Sequence, residues 1–133
     1  MILLEKEHIY MIHNMAIENF GGEKGIFNNT DDKIESILSQ QYGYFGYDKY
    51  LTIFQKCAML SYFFAKDHCF RDGNKRVSAY ILQVFLDLNG YELTMTNEEL
   101  EDFVLNMASS EPLNIDDYIH LLAKTIEINS KHN

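Results

Sequence analysis

Proline occurs once in the chain, at Pro112, and cysteine twice, at Cys57 and Cys69. With 47% apolar residues and no low-complexity run, so little proline speaks against extended disorder, which we expect only in the last residues, "NSKHN". The two cysteines have no metal-ligand spacing and are too few for the disulfide framework of a small secreted domain, so reduced thiols in a cytoplasm are expected. Long apolar runs are missing as well. The opening "MILLEKEHIY" has only four residues before its first charge, too short for a signal-peptide core or a membrane span, and predicts a cytoplasmic protein with no membrane partner.

Positive charge is scarce too. Eleven Lys and Arg against twenty Asp and Glu leave a net charge of −9, which argues against direct binding of nucleic acid. Lys66, Arg71, Lys75 and Arg76 are four of the eleven cations and crowd into one stretch. Such a basic spot on an acidic body suits a single anionic ligand, such as a nucleotide phosphate. At 133 residues the chain can bury a core of its own, and one domain over residues 1–133 is expected.

Apolar residues at Ile9, Ile12, Met15 or Ala16, and Phe20 have the three-and-four spacing of an amphipathic helix, stopped by Gly21 and Gly22. "GGEKGIFNNTDD" reads as a loop in which Thr30 or Asp31 caps a short helix through Ile34, Ile37 and Leu38. "YGYFGY", Tyr42 to Tyr47, keeps no helical period and is either a loop or a small hairpin, as aromatic cover for the core or as a partner-binding flap. From Asp48 to about His68 a broad stripe of Leu51, Phe54, Ala58, Ser61 or Tyr62, and Ala65 predicts a central helix. A second central helix carries Val77, Ile81, Val84, Phe85 and Leu88 and stops at Asn89-Gly90. "YELTM" predicts a short extended piece. Thr96 with Glu99 forms a capping box for a helix through Leu100, Phe103, Val104 and Met107, and Asn114 or Asp116 starts a last one. The fold class is therefore all-α, with at most a small hairpin at the flap.

The stretch "HCFRDGNKR", His68 to Arg76, connects the two central helices. The first turn of the second helix leaves unpaired amides at Gly73, Asn74, Lys75 and Arg76, an anion hole at the positive end of the helix dipole. Gly73 lets phosphate approach the backbone, and Asn74 adds a side-chain amide. Lys75 adds a point charge, and Arg76 adds a bidentate grip. Asp72 is the candidate magnesium ligand and His68 the candidate general base, with Phe70 turned into the core. Each has a simpler reading: His68 as complement to a helix C-terminus, Asp72 as a cap, Lys75 and Arg76 as a solvated face. Cys69 as a thiol nucleophile has no charge pattern in its favour, and the glycine pattern of a Walker A loop is absent.

This ordered set resembles the signature of the Fic/Doc superfamily, and within it the Doc (death-on-curing) branch, His-x-Phe-x-Asp-x-Asn-Lys-Arg. The Fic branch usually has glycine where Lys75 stands. "IHNMAIENFGGEKG" resembles the family's first helix and Gly-Gly-x-x-Gly turn, and "FLDLNGYEL" its segment after the motif helix. The resemblance implies a compact helical toxin of a type II toxin–antitoxin pair. Such a toxin uses ATP and magnesium to phosphorylate a threonine of translation elongation factor Tu. It implies catalytic roles for His68, Asp72, Lys75 and Arg76, with Asp72 on the metal. Phosphate would contact Asn74, Lys75, Arg76 and the basic residue Lys66, with Phe70 as anchor. Tyr42, Tyr44, Phe45 and Tyr47 fall at the target-holding flap. Cys69 stands where proline is common, and the turn after "GGEKG" lacks an early aspartate. Thr94 to Glu98 is followed by Glu99 rather than the Gly or Asn of self-inhibiting members, so a cognate antitoxin is expected to supply restraint. Two alternatives stay open: Fic-type nucleotidyl transfer to a protein, and a non-catalytic nucleotide- or partner-binding module.

Overall fold

Apolar stripes at helical spacing come together around one core. The computed structural model describes residues 1–43 and 45–133, which form helices Lys6–Phe20 (α1), Thr30–Ser39 (α2), Ile53–Lys66 (α3) and Asn74–Leu88 (α4), strand Tyr91–Leu93 (β1), helices Asn97–Ser109 (α5) and Ile115–Ile128 (α6), and strand Ser130–His132 (β2). The class is all-α, as the stripes predict. No helix among the described residues is long and apolar enough to cross a membrane.

The two helices predicted to be central are central. Nine of the fourteen residues of α3 are buried, and α3 packs against α2, α4, α5 and α6. Ala58, Ser61 and Ser78 are fully buried, and these small side chains allow α3 and α4 to approach closely. The hydroxyls stay satisfied there: Ser78 donates to the Ser61 carbonyl at 2.7 Å and Ser61 to the Cys57 carbonyl at 2.7 Å. The connection between this tightly packed pair, residues 67–73, is the motif itself.

Capping chemistry sets the boundaries. The Thr52–Gln55 capping box starts α3 at Ile53, later than the expected Asp48, so Leu51 lies outside the helix and is exposed. The Thr96–Glu99 box and the Asn114 cap begin α5 and α6 as read. For α2 the expectation fails: Asn29 occupies the cap position without a side-chain bond, because the Thr30 hydroxyl is used elsewhere.

Two further corrections concern extended structure. The last residues are not a tail: β2 pairs antiparallel with β1, Tyr91 opposite His132, and the Asn133 N–H donates to the Gly90 carbonyl at 2.9 Å. Tyr91 and His132 also meet edge to face, which favours pairing over a solvated end. The two-stranded sheet lies here; the described part of residues 42–47 holds a bend, a turn and one bridge residue, Tyr47, and no strand. Tyr44 lies outside the described residues.

A buried cation fixes the base of that segment. Lys56 on α3 is 4% exposed, and its ammonium donates to the Gln41 carbonyl at 2.6 Å and to the Asp48 carboxylate at 2.9 and 3.2 Å. One Nζ thus ties residue 41 to residue 48, the two ends of the loop. Gln41 in turn bonds both backbone groups of Leu4.

The hydrogen bond from Lys56 holds the Asp48 carboxyl below its ordinary range. With the folded value the lower one, the stabilisation is full above the ordinary carboxylate pKa and is lost as pH falls through the depressed value. Asp48→Asn should lower stability near neutral pH by roughly 2–4 kcal/mol, because it leaves a buried ammonium without its counter-charge. The gap from the unsubstituted protein should shrink in strong acid. Urea midpoints at pH 7 and pH 3 measure it, and an equal gap at both would mean that the charge pair is not what holds the loop.

Candidate functional site

The motif loop is built by hydrogen bonds that turn its backbone step by step. Asp67 closes α3 with its N–H on the Phe63 carbonyl at 2.8 Å, and its own carbonyl accepts from Lys33 Nζ at 2.9 Å. His68 follows in the left-handed region, φ 49°, which reverses the chain after the helix end. Cys69 and Phe70 then drop into the core at 0% and 1% exposure. The Cys69 carbonyl accepts from the buried Thr30 hydroxyl at 2.5 Å, while the Phe27 N–H donates to that same hydroxyl. Phe70 pairs in a single antiparallel bridge with Ile26, and its ring stacks on His13 at 3.8 Å and 5°.

Asn74 returns the chain to the loop. Its Oδ1 accepts from the Phe70 N–H at 3.0 Å and its Nδ2 donates to the Phe70 carbonyl at 2.8 Å, so one carboxamide satisfies both backbone groups of the anchor residue. Asp72 is held from three directions. Oδ1 accepts from the Gly73 N–H at 2.9 Å, Oδ2 accepts from the Glu23 N–H at 3.1 Å, and its backbone carbonyl accepts from His13 Nε2 at 3.0 Å. The Gly-Gly turn after α1 is needed for this: a Cβ on Gly22 would lie 2.6 Å from Asp72 Oδ2. Gly73, at φ 81° and ψ 10°, is the cap residue of α4, a conformation that favours glycine.

The first intrahelical bond of α4 runs from the Val77 N–H to the Gly73 carbonyl at 2.9 Å. The amides of Asn74, Lys75 and Arg76 precede it and form the open donor set. Gly73, expected to be a fourth, spends its N–H on Asp72. His68, Asp72, Lys75 and Arg76 are all exposed. The His68 ring and the Lys75 ammonium have no hydrogen bond or ion pair among the described residues. The Arg76 guanidinium lies 3.6 Å over the Phe20 ring, an arrangement that orients the cation without using its N–H donors. A cavity of about 500 Å³ opens beside Lys75 and Arg76, between the end of α1, α4 and α5, with Phe20, Tyr80, Leu100 and Val104 in its wall.

Three expected anion contacts are committed elsewhere. The Asn74 amide serves the Phe70 backbone. Lys66 donates to the carbonyls of Ala108 and Ser110 at 3.3 and 2.5 Å, so it caps the end of α5 instead of facing phosphate. Arg71, part of the basic cluster, donates Nε to the Ile26 carbonyl and lies over the Phe27 ring. At the flap, Tyr42, Phe45 and Tyr47 are exposed, Phe45 at 94%. Phe45 and His68 are the only non-glycine residues with positive φ among the described residues. Burial pushes the Cys69 thiol up to about 12, which removes it as a nucleophile.

His13 is the contributor that the periodicity analysis passed over. It sits at i+4 from Ile9 on the buried face of α1 and is 2% exposed. Burial lowers its pKa, so the ring is neutral and Nε2 carries the hydrogen given to the Asp72 carbonyl. A polar residue within the apolar stripe was the available signal. Asp72 fits the demands of magnesium: its carboxylate is exposed, and each oxygen has spent one lone pair on an amide, which leaves capacity for a cation that takes one or two carboxylates.

A model of the Fic/DOC family matches residues 3–86, more than half of the chain. That span runs from before α1 through most of α4 and includes the whole loop. No curated protein matches the chain.

Replacing Asn74 with Ala leaves the Phe70 N–H and C=O without their partner, and should lower stability by about 2 kcal/mol. Differential scanning calorimetry would register it as a fall in Tm. A variant as stable as the unsubstituted protein would mean that the loop does not depend on this side chain.

Proposed function

This chain belongs to the Fic/DOC family, and from that premise we propose that it is an ATP-dependent phosphotransferase toxin that modifies a protein hydroxyl. Membership makes it a Fic-type enzyme domain. That the terminal phosphate moves is the further step, and Lys75 carries it. Its ammonium lies on the first turn of α4, exposed and uncommitted, beside three open amides. A mobile point charge added to a helix N-terminus favours the most highly charged end of a nucleotide. Glycine at that position would leave room for the α-phosphate instead.

In this reading the amides of Asn74, Lys75 and Arg76 bind the phosphate oxygens, and Arg76 adds two parallel N–H donors from its place over Phe20. Asp72 would hold magnesium, which when bound supplies charge neutralisation to the phosphates. His68, whose ring makes no hydrogen bond or ion pair among the described residues, accepts the proton of the target hydroxyl as that oxygen bonds to the γ-phosphorus and ADP leaves. The exposed aromatics of the flap offer an apolar edge to the segment that carries the hydroxyl. The cavity beside Arg76 gives the rest of the nucleotide, or a covering partner, a place to lie. The target class we favour is a threonine of elongation factor Tu, with a separate antitoxin supplying restraint.

Intact-mass spectrometry of elongation factor treated with ATP, magnesium and this protein should find one added phosphate. His68→Ala should reduce transfer by about 10²-fold or more with Tm unchanged. Adenylate on the target would replace phosphotransfer with nucleotidyl transfer, and an unmodified target would favour a binding module. Lys75→Gly addresses the branch directly: phosphotransfer should fall by roughly tenfold or more while nucleotide still binds through the amides and Arg76. Unchanged phosphotransfer in that variant would remove Lys75 as the determinant.

A further inference from the structure

We propose that His13 is a positioning residue that locks the orientation of the Asp72–Gly73 peptide and so keeps the amides at the start of α4 available to phosphate. The proposal rests on the phosphate-site reading above.

The carbonyl and N–H of a trans peptide point in opposite directions. Here the Asp72 carbonyl points at α1 and accepts from His13 Nε2 at 3.0 Å, while the Gly73 N–H points the other way and donates to Asp72 Oδ1 at 2.9 Å. Glycine admits both signs of φ at little cost, so the Gly73 backbone by itself does little to stop this peptide from rotating. A rotated peptide would turn its carbonyl oxygen toward the Asp72 carboxylate. It would also break the Gly73–Oδ1 bond and set negative charge beside the amides of Asn74, Lys75 and Arg76. The bond from His13 opposes that rotation.

The rest of the site aims His13 at this one carbonyl. Its ring stacks on Phe70 at 3.8 Å and 5°, and Phe70 is itself held by Asn74 and by the bridge to Ile26. An apolar ring could fill the same space between α1 and Phe70. Only the Nε2–H adds something that packing does not need: a donor for a partly buried carbonyl two residues before the first open amide.

If the open orientation is only part of the free population, the apparent affinity for nucleotide falls by that fraction, and saturating nucleotide restores it. His13→Phe keeps the stacked ring and removes the donor. In that variant ADP affinity by calorimetry should weaken about tenfold and the KM for ATP should rise by the same factor. The kcat should stay within about twofold, with Tm little changed. His13→Gln, which retains a side-chain N–H, should recover most of the affinity. Affinity and KM equal to those of the unsubstituted protein in His13→Phe would overturn the proposal, as would a loss that His13→Gln does not recover or a fall in kcat matching the fall in Tm. Where the unsubstituted protein itself binds no ADP, the phosphate-site reading fails and this inference fails with it, an outcome distinct from normal binding in every His13 variant.

Discussion

The carboxamide of Asn74 closes the loop between the two central helices by bonding both backbone groups of Phe70. Four residues of chain separate donor from acceptor, so the first residue of α4 dictates where the core anchor sits, and the anchor dictates where the helix begins. Each neutral hydrogen bond of this kind contributes about 1 kcal/mol net, but leaving the groups unmet near a core costs more. The remaining contacts follow from it. With Phe70 fixed, its ring meets His13, its strand-like backbone meets Ile26, and the Asp72 carboxylate arrives over the Gly22–Glu23 turn that only glycine permits.

Periodicity carried the fold well, because broad stripes such as that of α3 leave a helix few ways to be oriented. The capping boxes at Thr96 and the stop at Asn89-Gly90 are local chemistry and were readable for the same reason. The late start of α3 was less legible. Asp48 can cap a helix or pair with a cation, and the cation, Lys56, is eight residues away. The C-terminal strand was not legible at all, since its partner is β1, far back in the chain, and "SKH" has no strand pattern of its own.

The site divides in the same way. Residue types and spacing put His68, Phe70, Asp72 and the first turn of α4 on one connection between two helices, and the structure brings them together there, because a helix N-terminus after a short loop has only one set of open amides. The errors all concern which polar groups the fold itself would use. Asn74, Lys66 and Arg71 are adequate phosphate ligands by type, but each meets a carbonyl that needs a donor. Asn74 meets Phe70, four residues back in the same loop, whereas the carbonyls met by Lys66 and Arg71 lie at a helix end and a turn brought near by tertiary packing, outside any short window of sequence. His13 was passed over, and Thr30 was read as a helix cap, because their partners, the carbonyls of Asp72 and Cys69, lie across the fold.

Among the described residues no buried side-chain nitrogen or oxygen lacks a partner, and in and around the loop Thr30, Lys33, Lys66, Arg71, Asp72 and Asn74 are all engaged. Among the described residues of this stretch, the amides of residues 74–76, the Lys75 ammonium, the Arg76 donors, the His68 ring and the Asp67 carboxylate make no hydrogen bond or ion pair, and the side chains of 67, 68, 75 and 76 are exposed. A connection that merely joined two helices would have no need of such a dense framework around so few open groups. The same contrast recurs at the flap, where a buried ammonium secures both ends of a loop whose described aromatics, Tyr42, Phe45 and Tyr47, are exposed. Among the described residues the two non-glycine ones with positive φ, His68 and Phe45, fall one in each of these segments. The backbone cost at these two positions is sustained by the hydrogen-bonded parts beside them, the Asn74–Phe70 clasp at one and the Lys56 ammonium at the other.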